Sequence, residues 1–86
     1  MKIWKYELSV RGSTIISAPT NSKILTVQVQ KEVPFVWVLC SEELSKEDYE
    51  IAIYGTGHSV PDEPGRYIGT FQLDGGSLVF HAFEVK

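Results

Sequence analysis

The segment with the most evident chemistry is the four-residue run Gly55-Thr56-Gly57-His58. Two glycines that flank a threonine permit tight backbone curvature, which leaves amide N–H groups pointing outward as a nest for a phosphate or another anion. The Thr56 hydroxyl adds a donor, and His58 can contribute a cation or a neutral hydrogen bond near neutral pH. The competing interpretation is a glycine-permitted bulge that turns a strand into a loop. The run matches neither established glycine-rich phosphate-binding fingerprint, so both interpretations stay open.

Three further side chains extend this candidate ligand site. Arg66 follows an excursion at residues 59–65 that contains two prolines and a glycine, and its guanidinium can meet a phosphate bidentately. Tyr54 and Tyr67 offer flat rings on which a nucleobase can stack. The expected ligand-binding residues are therefore Tyr54, Gly55, Thr56, Gly57, His58, Arg66 and Tyr67. The alternative is that most of the aromatic rings belong to the core and rim of a β-sheet protein.

Catalysis, metal binding and cofactor binding find little support among the other reactive residues. His58 and His81 lack a companion cysteine or aspartate at metal-ligand spacing, and a histidine in an apolar strand, like His81, is usually a core or interface residue with one hydrogen bond. Cys40 ends a hydrophobic strand, where a thiol is buried and inert, and a single cysteine excludes an intramolecular disulfide. The carboxylates of residues 42–50 and 62–63 lie in solvated runs. We expect a non-enzymatic protein with no metal and no cofactor.

Alternation of polar and apolar residues predicts that β-strands position these side chains. Seven segments alternate or are continuously apolar: residues 4–10, 14–17, 25–30, 35–40, 49–54, 66–73 and 77–85. Asp74-Gly75-Gly76 is typical of a hairpin turn. The strand spacing predicts an all-β fold, a small antiparallel β-sandwich or barrel of about seven strands in a meander-like order. The acidic run at 41–48 is interpreted as a solvated loop in preference to a single helical turn.

Two of these strands, 35–40 and 77–85, are apolar on both faces. One domain of this size does not easily cover both faces of two strands, so we expect a homo-oligomer, a dimer or a tetramer with closed symmetry. The core is expected to include Leu25, Val27, Val29, Trp37, Leu39, Ile51, Ile53, Phe71, Val79 and Phe83.

Length and composition set the outer limits. A chain of 86 residues is expected to be a single β domain, 1–86, and a net charge of −3 argues against binding to a nucleic-acid polymer, which needs a surplus of Lys and Arg. No apolar run approaches the roughly 18–20 residues of a membrane span. The first residues enter the alternation directly, without the apolar stretch of a secretory signal. We therefore expect a cytoplasmic protein that does not engage a membrane.

Seven pieces of the sequence carry a further signal: Trp4-Lys5-Tyr6, residues 24–30, Trp37, Gly55-Thr56-Gly57-His58, residues 67–72, Gly75-Gly76 and residues 78–85. Together they give the chain a resemblance to a family of small, uncharacterised phage and prophage proteins. The resemblance covers almost the whole chain and is specific as a set, although no single piece is. Ala82 departs from the common His-Val-Phe-Glu ending, and residues 41–50 look least like the family. The resemblance implies a phage origin and a place in the host bacterial cytoplasm.

A phage accessory protein without a catalytic constellation most often acts by binding. The profile looks like a viral sponge, a small oligomeric β protein that sequesters the cyclic nucleotide, or cyclic oligonucleotide, of a bacterial immune signalling system. Two alternatives stay open: a protein–protein inhibitor of a host defence or regulatory protein, and a minor virion-associated β domain.

Overall fold

The alternating segments form strands in the computed structural model, which describes residues 1–85. Its seven strands are β1 (Lys2–Glu7), β2 (Ser13–Pro19), β3 (Lys23–Gln30), β4 (Val33–Cys40), β5 (Lys46–Gly55), β6 (Arg66–Leu73) and β7 (Leu78–Val85). A short 3₁₀ turn, Asp74–Gly76, joins β6 to β7 and confirms the predicted turn there. The all-β class and the number of strands are as the sequence predicts.

The strands form two antiparallel sheets. Sheet A has the order β1-β4-β3, and sheet B has the order β2-β5-β7-β6. The β3–β4 and β6–β7 pairs are hairpins between consecutive strands, as in a meander. In contrast, β1 pairs with β4, β2 with β5 and β5 with β7, so each of these pairings skips at least one strand of the chain. The sheets pack face to face, and the core fills the space between them.

The core contains only part of the predicted set. Val27, Ile51, Ile53 and Phe71 are buried, and Val29 packs against them. The other buried apolar residues are Leu8, Ile16, Ala18, Ile24, Val36, Val38, Cys40, Ala52 and Ala82. Burial of Cys40 agrees with the prediction from its position in an apolar strand.

Five expected core residues lie elsewhere. Leu25 is 40 % exposed, because β3 contains a bulge between Ile24 and Thr26 that changes which residues face inward. The remaining four, Trp37, Leu39, Val79 and Phe83, are only half-buried. In β4 the inward positions are occupied by Val36, Val38 and Cys40, and in β7 by Ala82.

The two sheets contact each other on one side of the sandwich, where β3 approaches β6. The Arg66 Nη2 donates to the Ile24 carbonyl of sheet A at 3.1 Å and to Glu84 Oε1 of sheet B at 2.8 Å. Gly69 lies so close to β3 that an added Cβ would stand 2.9 Å from Val27 Cγ1. The two sheets therefore approach each other closely at this side, through one arginine and one glycine.

The acidic run is only partly a loop. Residues 41–45 form a turn, in which the Leu44 amide donates to the Ser41 carbonyl, but Lys46, Glu47 and Asp48 already belong to β5. Their partners in β2 are Pro19, Ala18 and Ser17. In the part of the chain that the structure describes, no helix has the length and apolarity needed to cross a membrane.

Candidate functional site

Three aromatic rings line the outer face of sheet B, on neighbouring strands. Tyr54 of β5, Phe83 of β7 and Tyr67 of β6 form a row in which Phe83 is central. Its ring centroid lies 5.9 Å from that of Tyr54 and 5.6 Å from that of Tyr67, both in edge-to-face geometry. Tyr67 is 53 % exposed. We call these three rings the aromatic row. It brings together two tyrosines that the sequence analysis proposed for stacking.

A chain of polar side chains runs beside the aromatic row. His81 pairs in register with Tyr54 on one side and Thr70 on the other, so it lies on the same face of the sheet. Its Nε2 lies 2.7 Å from the Thr56 hydroxyl, and its Nδ1 lies 3.0 Å from the Thr70 hydroxyl. The Thr70 hydroxyl also contacts the Tyr67 hydroxyl. This polar chain joins one end of the aromatic row to the end of β5.

The Val79 carbonyl at the end of the polar chain supports one direction for its hydrogen bonds. The Thr56 hydroxyl donates to the Val79 carbonyl, which can only accept, at 3.3 Å. The Thr56 oxygen must then accept from His81 Nε2–H. In the neutral ring Nδ1 is the acceptor, so Thr70 donates to it and Tyr67 donates to Thr70. In this direction each group has one role, and the two threonine hydroxyls fix the orientation of the imidazole.

The run Gly55-Thr56-Gly57-His58 closes a turn at the end of β5. The His58 amide donates to the Gly55 carbonyl, and Gly57 has a φ of 88°, a conformation that favours glycine. The Thr56 amide donates to the Val79 carbonyl. Two of the amides proposed for an anion nest thus already have carbonyl acceptors. The run positions Thr56 beside His81, and the His58 ring lies against Gly55.

Arg66 is not part of this arrangement. Its partner in register is Glu84, which lies three residues beyond His81 on β7 and therefore on the opposite face. Its guanidinium is occupied by Glu84 and by the Ile24 carbonyl. Of the seven residues proposed from the sequence, the structure thus brings Tyr54, Tyr67 and Thr56 to one surface, with Gly55, Gly57 and His58 forming the adjoining turn.

Three residues of the site were missed in the sequence analysis: Thr70, His81 and Phe83. His81 and Phe83 alternate in β7 on one predicted face, which was a usable signal. Tyr67 and Thr70 are three residues apart, a spacing that puts side chains on opposite faces of a regular strand. They share a face because the register of β6 shifts between Tyr67 and Gly69. Gly69, inside the predicted strand, was the usable signal, because a glycine within a strand often marks a bulge.

The arrangement is suited to binding by stacking and hydrogen bonding. A hydroxyl beside an imidazole also occurs in nucleophile–base pairs, but there the ring nitrogen that faces the hydroxyl is unprotonated and accepts its proton. In the direction given above, His81 Nε2 carries a proton where it faces Thr56, and the Thr56 proton is directed to Val79. Within residues 1–85, no group of three or more His, Cys, Asp or Glu side chains is placed to hold a metal ion.

Comparison with known proteins places the whole chain in one family. No curated protein and no solved structure matches it significantly. A family model, described as a domain of unknown function (DUF7352), matches residues 1–86. That span includes both sheets, the aromatic row and the polar chain. The chain belongs to the DUF7352 family.

Proposed function

We propose that this protein acts by binding, without catalysis, and that its ligand is a cyclic nucleotide or cyclic oligonucleotide held on the outer face of sheet B. The observation that carries the proposal is the aromatic row with the polar chain at its side. Exposed rings on a rigid sheet stack nucleobases, each at about 1–3 kcal/mol. The Tyr67, Thr70 and Thr56 hydroxyls and the His81 ring supply hydrogen bonds for a base edge or a ribose.

Charge on this face favours a small ligand bound mainly by its bases. The positions of β5 that share this face include the carboxylates Asp48 and Glu50. Lys46 has the same parity, but its ammonium lies 5.9 Å from the centroid of the Trp4 ring of sheet A. A ligand there leaves its phosphates in solvent, so few counterions are released on binding. The affinity should accordingly depend little on salt. From the resemblance to phage proteins, we propose that such binding serves to sequester a bacterial immune signal in the host cytoplasm.

The test is calorimetric titration of the full chain with a panel of cyclic mono-, di- and trinucleotides at two salt concentrations. At a hundredfold excess over Kd, a bound ligand should raise the free energy of unfolding by about 2.7 kcal/mol, which a thermal scan detects easily. We expect at least one ligand of the panel to bind at both salt concentrations. Failure of the whole panel would refute the proposed ligand and favour the protein–protein inhibitor.

Matched substitutions at one position locate the binding surface. Tyr67→Leu removes the ring and the hydroxyl, and it should weaken binding by about 1–3 kcal/mol. Tyr67→Phe keeps the ring and should retain most of the affinity. Thr56→Val should weaken binding by about 1–3 kcal/mol, because His81 Nε2–H loses its acceptor. Arg66→Met, on the other face, is the control and should leave binding unchanged. If Arg66→Met weakens binding and Tyr67→Leu does not, the ligand lies elsewhere.

A further inference from the structure

The outer face of sheet A, on the other side of the molecule from the aromatic row, carries an apolar strip. Alternation along β4 puts Val33, Phe35, Trp37 and Leu39 on this face, each half-buried. Ile3 of β1 pairs in register with Leu39 and is 60 % exposed. A contiguous apolar surface with a polar rim marks an interaction site on a small protein. We call these five side chains the sheet A strip.

Two opposite charges stand beside the strip on the edge strand β1. Lys5 pairs in register with Trp37, and Glu7 pairs with Phe35. The Lys5 side chain crosses the strip: its ammonium lies 4.5 Å from the centroid of the Phe35 ring and 5.6 Å from that of Trp37, and it donates to Gln30 Oε1 of β3 at 2.6 Å. A two-fold axis that crosses the strands between these two rows puts Lys5 of one copy opposite Glu7 of another, and Trp37 opposite Phe35. The face is complementary to itself, as a two-fold interface requires.

The shape of the face agrees with the same axis. At the Val33 end of the strip lies a concavity of about 580 Å³, lined by Lys5, Glu7, Gln30, Lys31, Val33 and Phe35. The axis sets the exposed Ile3 and Leu39 of one copy opposite this concavity in the other. The molecule is flat, with extents of 40 × 31 × 16 Å between its Cα extremes, and sheet A forms part of one broad face. A standard interface buries roughly 800 Å² per partner.

We propose that the sheet A strip packs against the same strip of a second copy and forms a two-fold symmetric dimer. In this dimer Lys5 exchanges its hydrogen bond with Gln30 for an ion pair with Glu7 of the second copy, and the apolar side chains of β4 pack between these pairs. The aromatic row remains on the two outer surfaces of the dimer, away from the interface. The dimer therefore stands independently of the proposed ligand, and either proposal can fail alone.

The test is the oligomeric state of the full chain by light scattering over a range of micromolar concentrations. Wild type should have about twice the chain mass of 9.7 kDa. Lys5→Glu and Glu7→Lys should each weaken the dimer about tenfold or more, because each sets like charges against each other. The double variant Lys5→Glu/Glu7→Lys should recover the dimer. An equimolar mixture of the two single variants should also recover it, since a surface with two carboxylates then meets a surface with two ammonium groups.

A pair of exposed isoleucines separates packing of the strip from other contacts. Ile3→Gln should weaken the dimer about tenfold, while Ile15→Gln, which alters an equally exposed isoleucine of sheet B, should leave it unchanged. Circular dichroism confirms that each variant is folded. A wild-type mass of 9.7 kDa overturns the proposal. A dimer that Ile3→Gln does not weaken also overturns it and would indicate edge-to-edge pairing of β1. An equimolar mixture of Lys5→Glu and Glu7→Lys that stays monomeric overturns it as well.

Discussion

Two tyrosine hydroxyls near the core make opposite contributions to stability. The Tyr6 hydroxyl is buried and has no hydrogen-bond partner among residues 1–85. A buried polar group without a partner costs about 1–3 kcal/mol, so Tyr6→Phe should raise the free energy of unfolding by about 1 kcal/mol. The Tyr49 hydroxyl donates to the Pro19 carbonyl and accepts from the Ser22 amide. Tyr49→Phe should therefore lower the free energy of unfolding, measured by urea denaturation, by about 1 kcal/mol. Destabilisation by Tyr6→Phe would contradict this account.

The same two phenols predict how stability changes in alkali. Burial raises the pKa of the Tyr6 phenol above its ordinary value of 10.0, and burial is also the main cause of the raised pKa of Tyr49. The unfolded chain then loses these protons at lower pH than the folded chain does. The raised pKa values therefore leave the free energy of unfolding unchanged below about pH 10 and lower it as the pH rises further. The unfolding free energy of Tyr6→Phe should fall less steeply than that of wild type above this pH.

The defined direction of the polar chain can be tested without any ligand. In the neutral His81 ring the proton should reside on Nε2, because Thr56 must accept there. Nitrogen-15 chemical shifts of the imidazole at mildly alkaline pH measure this directly. Thr56→Val removes the acceptor and should shift the population toward the other tautomer. A wild-type ring protonated mainly on Nδ1 would mean that the chain runs in the opposite direction.

At the scale of elements, the β3–β4 hairpin contains backbone strain. Its two turn residues, Lys31 and Glu32, have φ values of 50° and 65°, which side chains other than Gly and Asn rarely adopt. Lys31→Asn should relieve up to about 1 kcal/mol, which corresponds to a rise in Tm of roughly 4–8 °C for a domain of this size. Glu32 differs, because its Oε1 accepts from the Asp74 amide at 2.7 Å. Glu32→Ala should lower Tm. A lower Tm for Lys31→Asn would contradict the strain argument.

Elements were easier to predict than the faces of those elements. Alternation located all seven strands, and the predicted bounds of β6 are those observed. When both faces of a strand are apolar, alternation does not show which residues face the core. In β4 it therefore could not predict that Val36 and Val38, and not Trp37 and Leu39, are buried. In β3 a bulge reversed the parity, which exposed Leu25 and buried Ile24. The register shift in β6 likewise put Tyr67 and Thr70 on one face, so the contact of Tyr67 with His81 through Thr70 could not be predicted from alternation. Contacts such as Arg66 with Ile24 join residues distant in sequence, and no local pattern encodes them.

At the scale of the whole molecule, Gly69 of sheet B and Val27 of sheet A lie at a point where the two sheets approach closely. A Cβ at position 69 would stand 2.9 Å from Val27 Cγ1, closer than van der Waals contact allows. Gly69→Ala should therefore destabilise the protein by about 1–3 kcal/mol through overpacking. The cost should shrink in a Val27→Ala background, where the methyl group has room. A double-mutant cycle by denaturant unfolding measures this coupling. Simple additivity would show that the glycine is needed for another reason.

The order of the strands has a consequence for how the chain reaches this structure. The β3–β4 and β6–β7 hairpins need only short loops to close, so each can form early. In contrast, β1 can pair only after β4, which ends at Cys40, is available, and β2 only after β5, which ends at Gly55. Such non-local pairings slow folding toward milliseconds or seconds. During synthesis the first two strands emerge before their partners exist. The apolar alternation of β1 is then exposed, and this interval is when the nascent chain is most prone to aggregate.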